Sequence, residues 1–135
     1  MKQTFDIPWS PTAKGRPKFV RATGNAYTPA ETRHAEAAIR DLLIARGAQL
    51  YPREAPLAIA VTFYVARPAS APRRVLMPTK RPDLDQFVKL LLDAAAGILW
   101  VDDSQIVEIH AVKAFAGAEP APTPRQVLIA WELEV

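Results

Sequence analysis

Polar and apolar residues alternate from Thr4 to Ile7, and residues 3–7 read as a short strand ended by Pro8 and Pro11. Residues 12–27 follow neither the helical nor the strand period and read as a basic loop or hairpin turning at Gly24-Asn25. Thr28-Pro29-Ala30-Glu31 predicts a helix start: Thr28 as cap, Pro29 in the first helical position, Glu31 completing a capping box. The helix then runs to about Arg46, with Ala35, Ala38, Ile39 and Leu42 as its buried stripe and Gly47 as its stop. Residues 57–66, rich in β-branched and aromatic types, predict the clearest strand. A proline-broken basic connection covers 67–82, and a second helix covers 84–96. Residues 106–115 alternate and predict a strand, 116–124 a linker, and 126–135 a closing strand that pairs with its predecessor as a long hairpin.

The order strand-helix-strand-helix-strand-strand, with no repeat and no second domain, predicts one α+β domain over residues 1–135 with a small mixed sheet and two main helices. On the second helix, apolar residues fill an arc of about 200°, wider than one sheet face requires. That width predicts burial on two sides, by a second copy in a homodimer or, within one subunit, by the first helix or the 98–101 segment.

Composition narrows the function. The chain of 135 residues is 50% hydrophobic and 23% charged, ordinary for a globular protein. No apolar run approaches the roughly 18 residues of a membrane span, and the first ten residues lack an apolar signal segment, so a cytoplasmic protein is expected. The absence of cysteine excludes disulfide frameworks and thiol catalysis, and two histidines, His34 and His110, make a histidine-rich metal site a poor expectation. Metal chemistry must therefore rest on carboxylates. Lys+Arg number 17 against 14 Asp+Glu, and the pI is about 9.4. Every charge between Asp6 and Glu31 is basic (Lys14, Arg16, Lys18, Arg21), as is every charge between Glu54 and Asp83, including Arg67, Arg73, Arg74, Lys80 and Arg81. Two basic stretches beside one acidic cluster predict a polyanionic partner held around a metal.

The acids sit at Asp83 and Asp85, at the first turn of the second helix, and at Asp102 and Asp103, before a strand. Asp85, Gln86, Lys89 and Asp93 share one polar face at 100° per residue. Two readings are open. Asp83 caps the helix with Gln86, Asp85 favours the helix dipole and pairs with Lys89, and Asp102-Asp103 is a turn. Alternatively, a return leg over 98–101 brings Asp103 to the helix start, and the carboxylates form a hard-oxygen site suited to Mg²⁺. With Lys89 and the basic loops, that site meets the needs of phosphodiester hydrolysis.

At these residues the sequence resembles the RusA family of Holliday junction resolvases. The family pattern appears as Lys80 to Lys89, then Leu92-Asp93-Ala94, then Asp102 to Ile106. Upstream, Lys14-Gly15-Arg16-Pro17-Lys18 matches the family's basic loop, and Tyr27-Thr28-Pro29 with Thr32 and Glu36 matches the helix entry; downstream, Lys113 matches a basic residue of the strand. Gln86 departs from the family's usual Asn, and Ala95-Ala96 from a common Leu-Asn. The resemblance implies Asp83, Asp85 and Asp103 as essential acids and Mg²⁺ ligands, with Asp102 the alternative ligand, and Lys89 as the catalytic cation. It implies a homodimer acting on four-way or branched DNA, with no membrane partner. Lys14, Arg16, Lys18, Arg21, Arg73, Arg74, Lys80 and Arg81 are the expected phosphate contacts, with Phe19 and Tyr27 placed among them. The competing expectations are a non-catalytic DNA-binding module, whose acids serve as caps, and a dimeric scaffold using the apolar helix face.

Overall fold

The β-branched run at 57–65 becomes an inner strand of the sheet, paired on both edges. The computed structural model describes residues 1–15, 18–27 and 29–134, with the backbone alone for Lys18, Phe19 and Tyr27. Along the chain lie β1 (Lys2–Ile7), the short pair β2 (Lys18–Phe19) and β3 (Ala26–Tyr27), α1 (Ala30–Ala45), β4 (Leu57–Val65), α2 (Leu84–Ala95), β5 (Ile106–Phe115) and β6 (Arg125–Glu132). The main sheet has the order β1-β6-β4-β5. β4 and β5 run parallel, and the other neighbours are antiparallel. The expected α+β domain with a mixed sheet and two helices is borne out.

Alternation along the strands puts Phe5 and Ile7 of β1, Leu57, Ile59, Val61 and Phe63 of β4, and Leu128 and Ala130 of β6 into the core. Ile39 and Leu43 of α1 and Phe87, Leu90 and Leu91 of α2 close the core from the helical side. Phe63 and Phe87 meet with ring centroids 5.4 Å apart.

Three expectations need correction. β5 and β6 do not form a hairpin, because β4 lies between them. An alternating pattern fixes which face of a strand is buried but not which strand is its neighbour. The α2 crossover sets β5 parallel on one edge of β4, and β6 takes the other edge while also pairing with β1. The buried stripe of α1 is Thr32, Ala35, Ile39 and Leu43, with Ala38 and Leu42 only half-buried. Thr32 is a polar residue that can be buried because its hydroxyl accepts the Gly15 amide at 3.1 Å, which rotates the stripe toward the 12–15 loop. Finally, Pro29 is the cap position itself, with extended backbone before Ala30, so it lies outside the first helical turn. The expected Thr28 cap lies outside the described residues.

Candidate active site

α2 begins where a loop, a strand end and another helix meet. Asp83 is its cap residue by backbone geometry, yet its side chain makes no capping hydrogen bond. Only the Asp83 carbonyl is used, accepting from the Gln86 amide at 3.1 Å. Asp85 follows in the first turn. Both side chains are exposed, and neither forms an ion pair among the described residues. The capping reading therefore fails for Asp83. Two carboxylates, two residues apart, stand open at the start of α2.

Lys89 lies one turn further along α2. Its expected partner Asp85 is not the one it finds: Lys89 Nζ stands 3.4 Å from Asp93 Oδ1. The other oxygen of Asp93 binds Lys14 Nζ at 2.9 Å, and Lys14 also donates to Glu36 Oε1 at 2.6 Å. Burial pushes the Lys14 ammonium down, but hydrogen bonds and Coulombic attraction from Glu36 and Asp93 outweigh it and hold its pKa above the ordinary 10.5. The Lys14 amide donates to the Gln86 carbonyl at 3.1 Å. A Cβ on Gly15 would stand only 2.8 Å from Thr32 Oγ1, so this close approach requires glycine. Lys14 thus differs from its expected role: it is a partly buried tie between the loop, α1 and α2. Glu36 and Asp93, not singled out for chemistry from the sequence, are its anchors. Their signal was their place in the family pattern.

The basic segment 66–82 runs from β4 to Asp83. Arg67 and Lys113 fasten it through backbone carbonyls: Arg67 to Pro72 and Val75, Lys113 to Lys80 and Pro82. Arg73, Arg74, Lys80 and Arg81 are exposed on it, and Arg21 is exposed on the β2–β3 turn. Arg16 lies outside the described residues, as do the side chains of Lys18, Phe19 and Tyr27.

The second acidic pair lies elsewhere. Asp102 caps a 3₁₀ turn over Asp103–Gln105, its carboxylate accepting the Ser104 amide at 2.9 Å. That backbone hydrogen bond holds its pKa below the ordinary carboxylate value. Asp103 is oriented differently, with Oδ1 accepting from the indole Nε1 of the fully buried Trp100 at 2.8 Å. Gln105 fastens the turn: its oxygen accepts the Val101 and Asp102 amides, and its nitrogen donates to the Pro52 and Ala55 carbonyls. Trp100 and Gln105 fix the positions of these two acids, and periodicity did not mark either of them.

The two pairs do not converge within one chain. Lys113, near the end of β5, bonds the Pro82 carbonyl beside Asp83, whereas Asp103 precedes the start of the same strand. The steps from Ile106 to Lys113 span about 23 Å at 3.3 Å per residue. The return leg does not shorten this, because its Leu99 carbonyl accepts the Tyr51 amide at the far end of the helices. Among the described residues no group of three or more His, Cys, Asp or Glu could hold a metal ion. A single chain therefore offers two oxygen-ligand sets at opposite ends and does not complete the Mg²⁺ site expected from sequence.

Residues 8–122 match the family described as Endodeoxyribonuclease RusA. The chain belongs to the RusA endodeoxyribonuclease family. It is thereby an endonuclease, a hydrolase acting on DNA, from a family that acts on branched DNA such as Holliday junctions. The chain is also similar to YqaN of Bacillus subtilis (strain 168), an uncharacterised protein, at 29% identity over 131 positions, covering 86% of this chain and 89% of the relative. The RusA match takes in Lys14, Glu36, the 66–82 segment, both acidic pairs and Lys113. Among the described residues no helix is long and apolar enough to cross a membrane.

Proposed function

We propose that the protein is a Mg²⁺-dependent, structure-specific endodeoxyribonuclease that resolves Holliday junctions and other branched DNA by paired symmetric nicks. The observation that carries this reading is the open Asp83–Asp85 pair, uncapped and unpaired among the described residues, beside a cation-rich segment in a RusA-family chain. A DNA-binding module gains nothing from open carboxylates facing phosphates, and the caps that reading requires are present at Asp102 only.

Asp83 and Asp85 would supply two of the carboxylates that hold the metal ion. Asp103, its orientation fixed by Trp100, supplies the third carboxylate, and it comes from a second copy of the chain. A two-fold axis perpendicular to β5 reverses the strand, so the Asp103 end of one copy meets the Asp83 end of the other. β5 is an unpaired edge of the sheet, with Val107 and Ile109 exposed on it. Leu84, Val88 and Leu92 leave a half-buried apolar stripe on α2 at i, i+4 spacing. Together these are the surfaces a homodimer would cover. Mg²⁺ bound between such acids supplies an activated water and polarises the scissile phosphate. Lys89, steadied by Asp93, faces the charge that grows on the phosphate oxygens. Arg21, Arg73, Arg74, Lys80 and Arg81, with Arg16 and Lys18, hold the flanking phosphates.

The test is cleavage of an end-labelled synthetic four-way junction with Mg²⁺ or with EDTA, against a linear duplex of the same sequence. Symmetric nicks in the junction with Mg²⁺ only are expected, and Asp83→Asn should bind the junction without cutting it. Equal cutting of the duplex, or normal nicking by Asp83→Asn, would refute the proposal.

A further inference from the structure

The segment between β4 and α2 has no regular secondary structure, yet its backbone is held. Arg67 Nη1 donates to the Val75 carbonyl and Nη2 to the Pro72 carbonyl, both at 2.7 Å. The Arg67 guanidinium also lies 4.9 Å from the Phe115 ring centroid. Lys113 Nζ donates to the Lys80 and Pro82 carbonyls at 2.9 Å each. Turns at Pro68–Ala71 and Pro72–Val75 close internal hydrogen bonds of 3.0 Å. At the crest of this strap stand Leu76, 80% exposed, and Met77, 69% exposed, the two most exposed large apolar side chains among the described residues.

A braced segment that presents adjacent apolar side chains to water marks an interaction surface. Its partner is limited by charge. Arg73 and Arg74 precede the pair, Lys80 and Arg81 follow it, all four are exposed, and no acid lies between Glu54 and Asp83. The partner must therefore carry anions on both sides of an apolar face. A stacked duplex carries the anions but hides its base faces. A branch point carries both, because the stack is interrupted where strands exchange. The strap also leads directly into Asp83, so whatever it grips is set beside the carboxylate pair.

We propose that Leu76 and Met77 form a wedge that packs against the open face of the base pair at a DNA branch point, while the flanking cations hold phosphates on either side. Apolar wedges of this kind unstack base steps in other DNA-binding proteins. The inference rests on the nuclease reading above and adds the element that distinguishes branched from linear DNA.

The experiment uses a four-way junction carrying 2-aminopurine in the pair next to the branch, bound in EDTA so that no cleavage occurs. The wild-type chain is expected to raise 2-aminopurine emission as the base unstacks. The variant Leu76→Ser/Met77→Ser, altered only at exposed positions, should keep the wild-type unfolding temperature and the salt dependence of binding. It should lose the emission rise and roughly tenfold or more of the preference for junction over duplex, the scale of one lost base-stacking contact. The swap Leu76→Met/Met77→Leu should restore both. Unchanged emission and unchanged preference in the serine variant would overturn the wedge alone. A wild-type chain with no preference for the junction would overturn the nuclease reading and the wedge with it. Binding of the wild type to phosphatidylglycerol vesicles that the serine variant loses, with junction emission unchanged, would assign the crest to a lipid surface instead.

Discussion

An equimolar mixture of Asp83→Asn and Asp103→Asn chains, unfolded and refolded together, is expected to cut a four-way junction that neither variant cuts alone. Asparagine keeps the shape of aspartate and removes the charge that a hard cation requires. Within one chain the two positions flank opposite ends of β5, separated by about 20 Å along the strand. A site that needs both acids must take one from each copy. In a mixed dimer one site combines the intact Asp83 of one copy with the intact Asp103 of the other, and the second site contains both substitutions. Random pairing makes half of the dimers mixed, and each has one complete site of two, so about a quarter of wild-type sites are restored. The product also changes. A dimer with a single working site should nick one strand and leave the junction unresolved, whereas wild type should release linear duplexes. Denaturing and native gels of the same reaction read the two quantities separately. An inactive mixture, with both variants dimeric and junction-bound, would refute the shared site. Activity in which junctions are fully resolved would also contradict it.

Lys14→Met leaves Glu36 and Asp93 without their shared cation and should lower stability by about 1–2 kcal/mol, between the values for exposed and buried ion pairs. Because the folded-state pKa of Lys14 is raised, its contribution is complete below the unfolded value and is lost as pH rises through the folded one. The gap in unfolding temperature between wild type and Lys14→Met should therefore hold from neutral pH to about 10 and narrow above it. Trp100→Phe removes the indole donor that orients Asp103 and should shift the Mg²⁺ dependence of cleavage about tenfold to higher concentration, in the range seen when groups supporting metal ligands are lost. Val88→Glu should yield a folded 14.9 kDa species in sedimentation. Phe87→Glu should unfold the chain instead, since Phe87 and Leu90, 2% and 1% exposed, belong to the chain's own core and not to a subunit interface.

Local signals carried much of this fold. The β-branched run at β4, the apolar period of α2 and the alternation of β5 were legible to within a residue or two, because each is set by burial of one face. What the sequence left unmarked is long-range. Nothing in residues 106–135 says that β6 inserts between β1 and β4. Lys14 reads as one more cation in a basic loop until folding sets it against Glu36 and Asp93. Arg67 and Lys113 have the same charge as Arg73 and Arg74, yet their donors are taken up by backbone carbonyls. At the site, the family pattern marked Asp83, Asp85, Lys89 and Asp103. The expectation that they meet in one chain failed because Gly97 does turn the chain, with φ of +85°, but the turn docks against Tyr51 and stays at the far end of α2. Of the adjacent acids, only the structure separates Asp102, engaged as a cap, from Asp103, held by Trp100.

The manner in which the strap is fastened bears on how this enzyme can change. Arg67 and Lys113 grip main-chain oxygens, which every amino acid provides, so the attachment asks little of the side chains between residues 68 and 82. Both grips come from the sheet side, one at the end of β4 and the other on β5. A lineage can therefore rewrite the strap's exposed positions, or exchange it for another of similar span, without disturbing the core. If the strap sets substrate preference as proposed, that preference and the hydrolytic chemistry are free to diverge separately, and chimeras that graft a foreign strap between Arg67 and Asp83 should fold.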